Sequence, residues 1–368
     1  MMTDTVFNGT PRSHGFLMPA EWEPHQATWI AWPHNAADWP GRFQPIPWVY
    51  ADIVRSLARS EDVHILVNDE AAQKRTLSIL SRVGADLARV QFHRWATDRV
   101  WLRDSGPIFV RRPETTTADH ATVAITNWKF NAWAKYPNWQ LDDQIPSRVA
   151  EESHSRQWQP SIQQADGSQH RIVLEGGSID VNGAGILLTT EECLLSEVQQ
   201  RNPGVTREQL EQAFSDYLGI DKVIWLGRGC AGDDTHGHVD DIARFVDPNT
   251  IVTATETNPD DENHLPLAEN LDRLRAATNL EGKPFRVVEL PMPAPVVFEN
   301  QRLPASYANF YIANDRVLVP TFNDPNDRRA LNILGALFPA REIVGIHCGD
   351  FIWGLGAIHC MTQQQPAA

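Results

Sequence analysis

The sequence predicts a single-domain α/β protein whose repeated units close on themselves in a propeller-like arrangement. Three observations carry this expectation: hairpin-like pairs of apolar runs that recur at near-constant spacing, helical patterns and lone strands between them, and two ends that each look like part of one further unit. The hairpins begin near residues 106, 172, 238 and 307, roughly 65 to 70 residues apart. An open α/β sandwich is the alternative that the pattern alone leaves standing.

The opening part supplies a strand (ATWIAWP, 27–33), a helix (PWVYADIVRSLARS, 47–60) and a second strand (VHILVND, 63–69). The first hairpin pairs PIFVRR (107–112) with ATVAITNWKF (121–130). The second pairs RIVLEGGSIDV (171–181) with GILLTT (185–190) across NGA, the third DIARFV (241–246) with TIVTAT (250–255) across DPN, and the fourth NFYIA (309–313) with RVLVPTF (316–322) across ND. Period-two alternation with Asn, Asp, Gly and Pro at the turns is the pattern of antiparallel pairs. The last three hairpins lead into helical patterns: EECLLSEVQQ (191–200) with TREQLEQAFSDYL (206–218), PLAENLDRLRAAT (266–278), and NDRRALNILGALF (326–338). Short strands follow, KVIWL (222–226), FRVVEL (285–290) and REIVGIH (341–347). No linker or low-complexity stretch divides the chain, so residues 1–368 are expected to form one catalytic domain with an ordered core over about 15–366.

Composition narrows the function classes. The 368 residues are 42% hydrophobic, enough for a sizeable core, and carry a formal charge of −15 with no lysine/arginine run. Nucleic acid and anionic membranes are thereby disfavoured as partners, and a small cation is attracted. No apolar stretch approaches the ~20 residues of a membrane span, and MMTDTVFNGTPRSHG lacks the layout of a secretory signal, so a cytoplasmic location is expected. The four cysteines, Cys193, Cys230, Cys348 and Cys360, include no CxxC pair and are expected to stay reduced. Thirteen tryptophans are unusual; most are expected in the core, the rest as pocket walls for planar or cationic ligands.

The reactive residue types fall at the hairpin starts. Arg103 and Asp104 in WLRDSGP precede the first, Glu175, Gly176 and Gly177 interrupt the second, DDTHGHVDD (233–241) opens the third, and the last strand delivers His359 and Cys360. In a closed ring of similar units these positions converge. If GHVD is extended, His238 and Asp240 share a face; His236 and His238 would share it too, which leaves a metal site as the competing reading. A glutamate in apolar LEGGS is costly to bury without a cation. One thiol, one imidazole and the three carboxylates Asp104, Glu175 and Asp240 exceed what a cysteine protease needs. The surplus acids match a guanidinium, whose planar fork of N–H donors binds carboxylates in pairs.

Jointly, MPAEWEPHQATWIAWP, WLRDSGP, WKFNAWAKYPNW, LEGGSID with LLTTEECLL, DDTHGHVDDIARFV and AIHCMTQQQP resemble the agmatine deiminases of the bacterial peptidylarginine-deiminase-type family, among the guanidino-group-modifying enzymes. The likeness spans nearly the whole chain. The closing stretch departs from it, reading GLGAIHC where the family carries more glycines and an asparagine. The resemblance implies a five-bladed α/β propeller of pentein-like pseudo-fivefold symmetry. It also implies Cys360 as nucleophile, His238 as general acid and base, and Asp104, Glu175 and Asp240 as partners of the guanidinium and the histidine. Agmatine would then be the substrate, with no metal and no organic cofactor, and homo-oligomers are common among such relatives. Trp101, Trp128 and Asp233 are candidates to meet the substrate's ammonium end, with Gly176 beside the substrate. Were Arg103 or Arg244 to face the pocket, free or peptide C-terminal arginine would be favoured instead. A transfer of the amidino group to an amine, an amide hydrolase, and a non-catalytic polyamine- or guanidine-binding protein are the other readings.

Overall fold

The computed structural model describes residues 9–113, 121–163 and 167–368. The chain is mixed α/β, as expected, and five of its small sheets share one plan: a central strand paired antiparallel on one side and parallel on the other. In four of them the antiparallel pair is a local hairpin. These are Ile108–Arg111 with Val123–Thr126, Asp180–Val181 with Ile186–Thr190, Ala243–Asp247 with Thr250–Thr255, and Tyr311–Ile312 with Arg316–Thr321. Each central strand then takes a parallel partner after a helical crossover: Gln157–Trp158, Lys222–Leu226, Arg286–Pro291 and Glu342–His347. A parallel pair cannot be joined by a tight turn, so a helix of each unit carries the chain back and covers the sheet.

The fifth sheet is made from both ends of the sequence. His25–Ala31 runs parallel to Asp62–Leu66 and antiparallel to Gln363–Pro366, with Thr28 opposite Gln364 and Trp29 opposite Gln363. Its plan is that of the other four, except that the hairpin is replaced by a pairing more than 330 positions apart. The two partial units expected at the ends are thus one unit. Val90–His93 adds a further parallel strand at its edge.

The helices are set by their own ends. Thr206 and Gln209 form a reciprocal capping box at the start of Arg207–Leu218, which stops at Gly219, φ +73°. Asp324 and Asp327 do the same for Pro325–Leu337, where Pro325 fills the first turn. The largest apolar cluster gathers Trp29, Trp39, Tyr50, Phe351 and Trp353 around the sheet built from the two ends. Trp39 is fully buried and donates its indole N–H to the Phe351 carbonyl at 2.8 Å. Most tryptophans are core, as the composition implied.

Local expectations fail in four places, the first being the helix Glu70–Val83, capped by Asp69, which has no counterpart in the sequence reading. RIVLEGGSIDV is not one strand: Gly176–Ser178 turn as a short helix and only Asp180–Val181 pairs, while Gln169–Arg171 joins Ser161–Gln163 in a separate ribbon. EECLLSEVQQ keeps helix only over Glu191–Leu195, after which Ser196 is extended, φ −70° and ψ 149°. The helix Ile145–Glu152 of the first hairpin's unit has no counterpart in the sequence reading; Gln144 at its start makes no side-chain cap.

Candidate active site

Short helical turns from four sheets meet at one place: Leu102–Ser105, Gly176–Ser178, Val239–Asp241 and Ile358–Met361. Each directly precedes a strand of its sheet, Ile108–Arg111, Asp180–Val181, Ala243–Asp247 and Gln363–Pro366. Asn309 arrives from the remaining sheet, just ahead of Tyr311–Ile312. The repeat therefore delivers one polar stretch per sheet to a common centre.

Cys360 is 5% exposed at a wall of a cavity of ≈ 390 Å³, which Asp104, Trp101, Trp133, Trp353, Asp38 and Arg99 also line. Asn309 holds it in place: Nδ2 donates to Cys360 Sγ at 3.1 Å and to Asp241 Oδ1 at 3.0 Å, and Oδ1 accepts the His359 N–H at 2.9 Å. The thiol lies 3.8 Å from Asp240 Oδ2. Burial, with repulsion from Asp240, Asp241 and Asp104, pushes it well above the usual thiol range. Upstream, Gly356 lets the backbone pass against the Trp101 indole, because a Cβ there would sit 2.8 Å from the ring.

Asp104 receives the Gly177 N–H on Oδ1 at 3.1 Å and the Trp133 indole N–H on Oδ2 at 2.9 Å. Trp133 is presented by three successive left-handed residues, Ala132, Trp133 and Ala134, with φ of 48°, 58° and 53°. At about 1–2 kcal/mol each, this strain fixes the indole against the acid. Burial, reinforced by Asp240 and Glu175, pushes Asp104 up to about 7 even though His238 and Trp133 act the other way.

His238 is wholly buried, with Nδ1 3.7 Å from Asp104 Oδ1 and Nε2 3.8 Å from Glu175 Oε2. Burial alone would lower it, but Asp104, Cys193 and Glu175 together hold the imidazole well above its ordinary range. Glu175 is pinned by Arg201, whose Nε donates to Oε1 at 3.1 Å; although burial opposes it, this cation brings the carboxyl down to about 2. A Cβ on Gly177 would lie 2.6 Å from His238 Nδ1, 2.8 Å from Asp104 Oδ1 and 3.0 Å from Asp240 Oδ2, so only glycine fits where these three side chains converge. Burial raises Asp240, but its contacts with His359 outweigh that and keep it below the usual range; burial and Asp240 itself push Asp241 well above it.

The structure thus brings Cys360, His238, Asp104, Glu175 and Asp240 together. His238 and Asp240 do so from a turn and not from a strand. His236 swings away, φ +65°, to Ser196 Oγ at 3.2 Å, so no His236–His238 pair forms. Among the described residues, the donor atoms of Glu175, Cys193 and His238 lie within 4.8 Å of one another, as do those of Asp240, Asp241 and Cys360, two sets with metal-ligand chemistry. Their carboxylates already have protein partners in Arg201, His359 and Asn309.

The other expected positions are distributed between the cavity and the core. Trp101 lines the cavity, but Trp128 packs on Phe214 and Tyr217 in the core and donates to Thr126 Oγ1 at 3.0 Å. Asp233 accepts the N–H groups of Thr235, Gly237 and His238 and so shapes the loop that presents His238, away from the cavity wall. Gly176 serves packing, since a Cβ would meet the Arg103 carbonyl at 2.2 Å. Arg103 and Arg244 both face Glu21, at 3.2 and 2.9 Å, and neither lines the cavity. Glu21, Asn309 and Arg201 were not singled out in the sequence, and Gly177 and Trp133 were given no site role there. Asn309 had a signal, its place just ahead of a hairpin strand like the other site residues.

A buried thiol, acids able to hold a planar cation and a proton-bearing imidazole are the makings of covalent chemistry on an amidine carbon. A family model for the Porphyromonas-type peptidyl-arginine deiminase matches residues 17–366, and the chain belongs to that family. Among its relatives, the agmatine deiminase of Pseudomonas syringae pv. tomato is 36% identical over 386 residues, covering 99% of each chain, and that of Pseudomonas aeruginosa 34% over 381 residues, covering 97% of each. Among solved structures, the agmatine deiminase of Enterococcus faecalis superposes with a TM-score of 0.87 at 30% identity, covering 98% of each chain. A Cys→Ser variant of the C. jejuni agmatine deiminase with substrate bound gives 0.81 at 28%, covering 95% of this chain and 96% of that one.

Proposed function

We infer that this chain is an agmatine deiminase, which hydrolyses agmatine to N-carbamoylputrescine and ammonia. Full-length similarity to curated agmatine deiminases supports the substrate. The observation that carries the chemistry is the Cys360 thiol at the cavity, with Asp104 and Asp240 close by and His238 beneath. In this reading the guanidinium sits between Asp104 and Asp240 with its carbon against Cys360 Sγ. The arriving cation offsets the negative charge that, with burial, holds the thiol protonated, and Cys360 becomes a thiolate as its proton passes to solvent. Its attack gives a tetrahedral adduct, and protonated His238 supplies the proton with which ammonia leaves. Neutral His238 then takes a proton from water, which attacks the amidino-thioether and releases the ureido product and the thiol. Glu175, held by Arg201, keeps His238 cationic. The aromatic walls Trp101, Trp133 and Trp353, with Asp38 and Asp234, suit an aliphatic tail ending in an ammonium.

Arg99 favours a second reading. It lines the cavity, bound to Asp38 Oδ1 at 3.1 Å and Asn138 Oδ1 at 3.3 Å, and would pair with the carboxylate of arginine or a peptide C-terminal arginine if it left Asp38. Ammonia and carbamoyl product measured from agmatine, arginine and a peptide ending in arginine, with Cys360→Ser as blank, separate the two. Agmatine alone is expected to turn over; arginine turnover at a comparable kcat/KM would hand the site to Arg99, and turnover of none would overturn the deiminase.

We further propose that residues 1–368 act as one catalytic domain, and that the five like sheets are blades closed about a pseudo-fivefold axis, for which the pairing of the two ends is the support. The four free cysteines suit a reducing, cytoplasmic compartment, and light scattering would test whether the chain forms a homo-oligomer. Among the described residues no helix is long and apolar enough to cross a membrane.

A further inference from the structure

His359 precedes the thiol in sequence, does not line the cavity, and bridges two carboxylates. Its Nδ1 lies 2.7 Å from Asp240 Oδ2 and its Nε2 2.8 Å from Glu21 Oε2, with the ring 2% exposed. Each ring nitrogen thus has one carboxylate oxygen within hydrogen-bond distance. Glu21 is fixed independently: Arg103 donates to Oε2 at 3.2 Å, and Arg244 and the Ile312 N–H reach Oε1 at 2.9 and 2.8 Å. Glu21 is thus held by groups from three other sheets, and through it the ring is oriented.

Asp240 is held asymmetrically. His359 occupies Oδ2, whereas among the described residues no donor reaches Oδ1, which is buried. A buried carboxylate oxygen without a donor costs free energy that a guanidinium N–H recovers. We propose that His359, anchored by Glu21, is a positioning residue that grips Asp240 through Oδ2 alone and so presents Oδ1 to the planar cation beside Cys360. This rests on the guanidine-deiminase reading. It also explains why a histidine sits between Ile358 and Cys360: Asn309 accepts its backbone N–H while the side chain reaches back to Glu21, so the turn that delivers the thiol also sets the acid. The same contact is the main influence holding Asp240 ionised against burial.

Two substitutions divide the bridge. In His359→Asn the short amide keeps a donor near Nδ1 for Asp240 and loses Glu21; in His359→Gln the longer amide keeps a donor near Nε2 for Glu21 and loses Asp240. Labelling of Cys360 by the amidinium reagent 2-chloroacetamidine is compared with labelling by neutral iodoacetamide, alongside thermal unfolding and kcat/KM for agmatine. The expected result is chloroacetamidine labelling at least about tenfold slower in His359→Gln than in His359→Asn, the loss of one charge-assisted hydrogen bond. Iodoacetamide rates and unfolding midpoints should be alike in the two. Equal chloroacetamidine rates, or a loss shared by iodoacetamide, would reduce His359 to a structural prop and overturn the proposal. If either variant fails to fold, Glu21→Gln is read by the same ratio of reagents, and an unchanged ratio overturns it. Wild-type labelling by chloroacetamidine without agmatine turnover would sink the substrate and leave the positioning role to be judged by the labelling.

Discussion

Burial, with repulsion from Asp240, Asp241 and Asp104, raises the Cys360 thiol and favours its protonated form, so in the proposed mechanism a cation filling the site is what would activate it. Cys360→Ser should lower turnover at least ~10³-fold, with a thermal midpoint within a few degrees of wild type; ordinary turnover would remove the nucleophile assignment. The pH dependence follows from Asp104, pushed up to about 7. Stability and activity take opposite signs. The folded protein keeps this proton between the ordinary carboxylate value of about 4 and 7, so the stability contributed by the group is present at low pH and declines across that window. Guanidinium binding needs the ionised form, so kcat/KM should fall below about pH 7, while the acid limb of kcat lies lower because bound cation stabilises the carboxylate. A kcat/KM flat from about pH 5.5 to 8 would contradict the role of Asp104. At this scale the reactive residue types were legible, since thiol, imidazole and surplus acids imply a cation. Their supports were not: Arg201 on Glu175 and Glu21 on His359 are pairings that no local spacing encodes.

At the scale of elements, short turns ahead of strands carry the candidate site residues, and their geometry leaves little room. Gly177→Ala should place a methyl against His238, Asp104 and Asp240 together, costing about 1–3 kcal/mol in overpacking and at least ~10²-fold in kcat/KM through displaced groups. Steady-state kinetics with circular dichroism would check it, and normal activity would mean that these side chains have freedom the packing denies. Alternation made three of the hairpins legible nearly to the residue. LEGGS failed because two glycines between apolar residues satisfy a strand pattern equally well, and only the side chains packed over Gly177 make the turn necessary. Two helices were missed: Ile145–Glu152 is short and lacks a capping side chain, and Glu70–Val83, although capped by Asp69, buries only Thr76 and Leu80 and so leaves little apolar stripe.

At the scale of the whole molecule, the pairing of Gln363–Pro366 with His25–Ala31 joins the ends, and the partial units at either end of the sequence were what made this legible. Deleting residues 363–368 would also remove Gln364 from Arg103, at 2.7 Å, and Gln365 from the Trp29 indole, at 2.8 Å. Faster hydrogen exchange at the amides of His25–Ala31 and a lower unfolding midpoint are expected; protection equal to that of the full chain would mean that the strand adds nothing to the sheet. The same pairing bears on synthesis. A nascent chain emerging from the ribosome carries the acids and His238 long before it has Cys360, and His25–Ala31 waits with one edge bare until the last strand arrives. Cys360 and the strand Gln363–Pro366 that covers this edge are therefore made almost together, so the thiol appears only as the sheet becomes able to close.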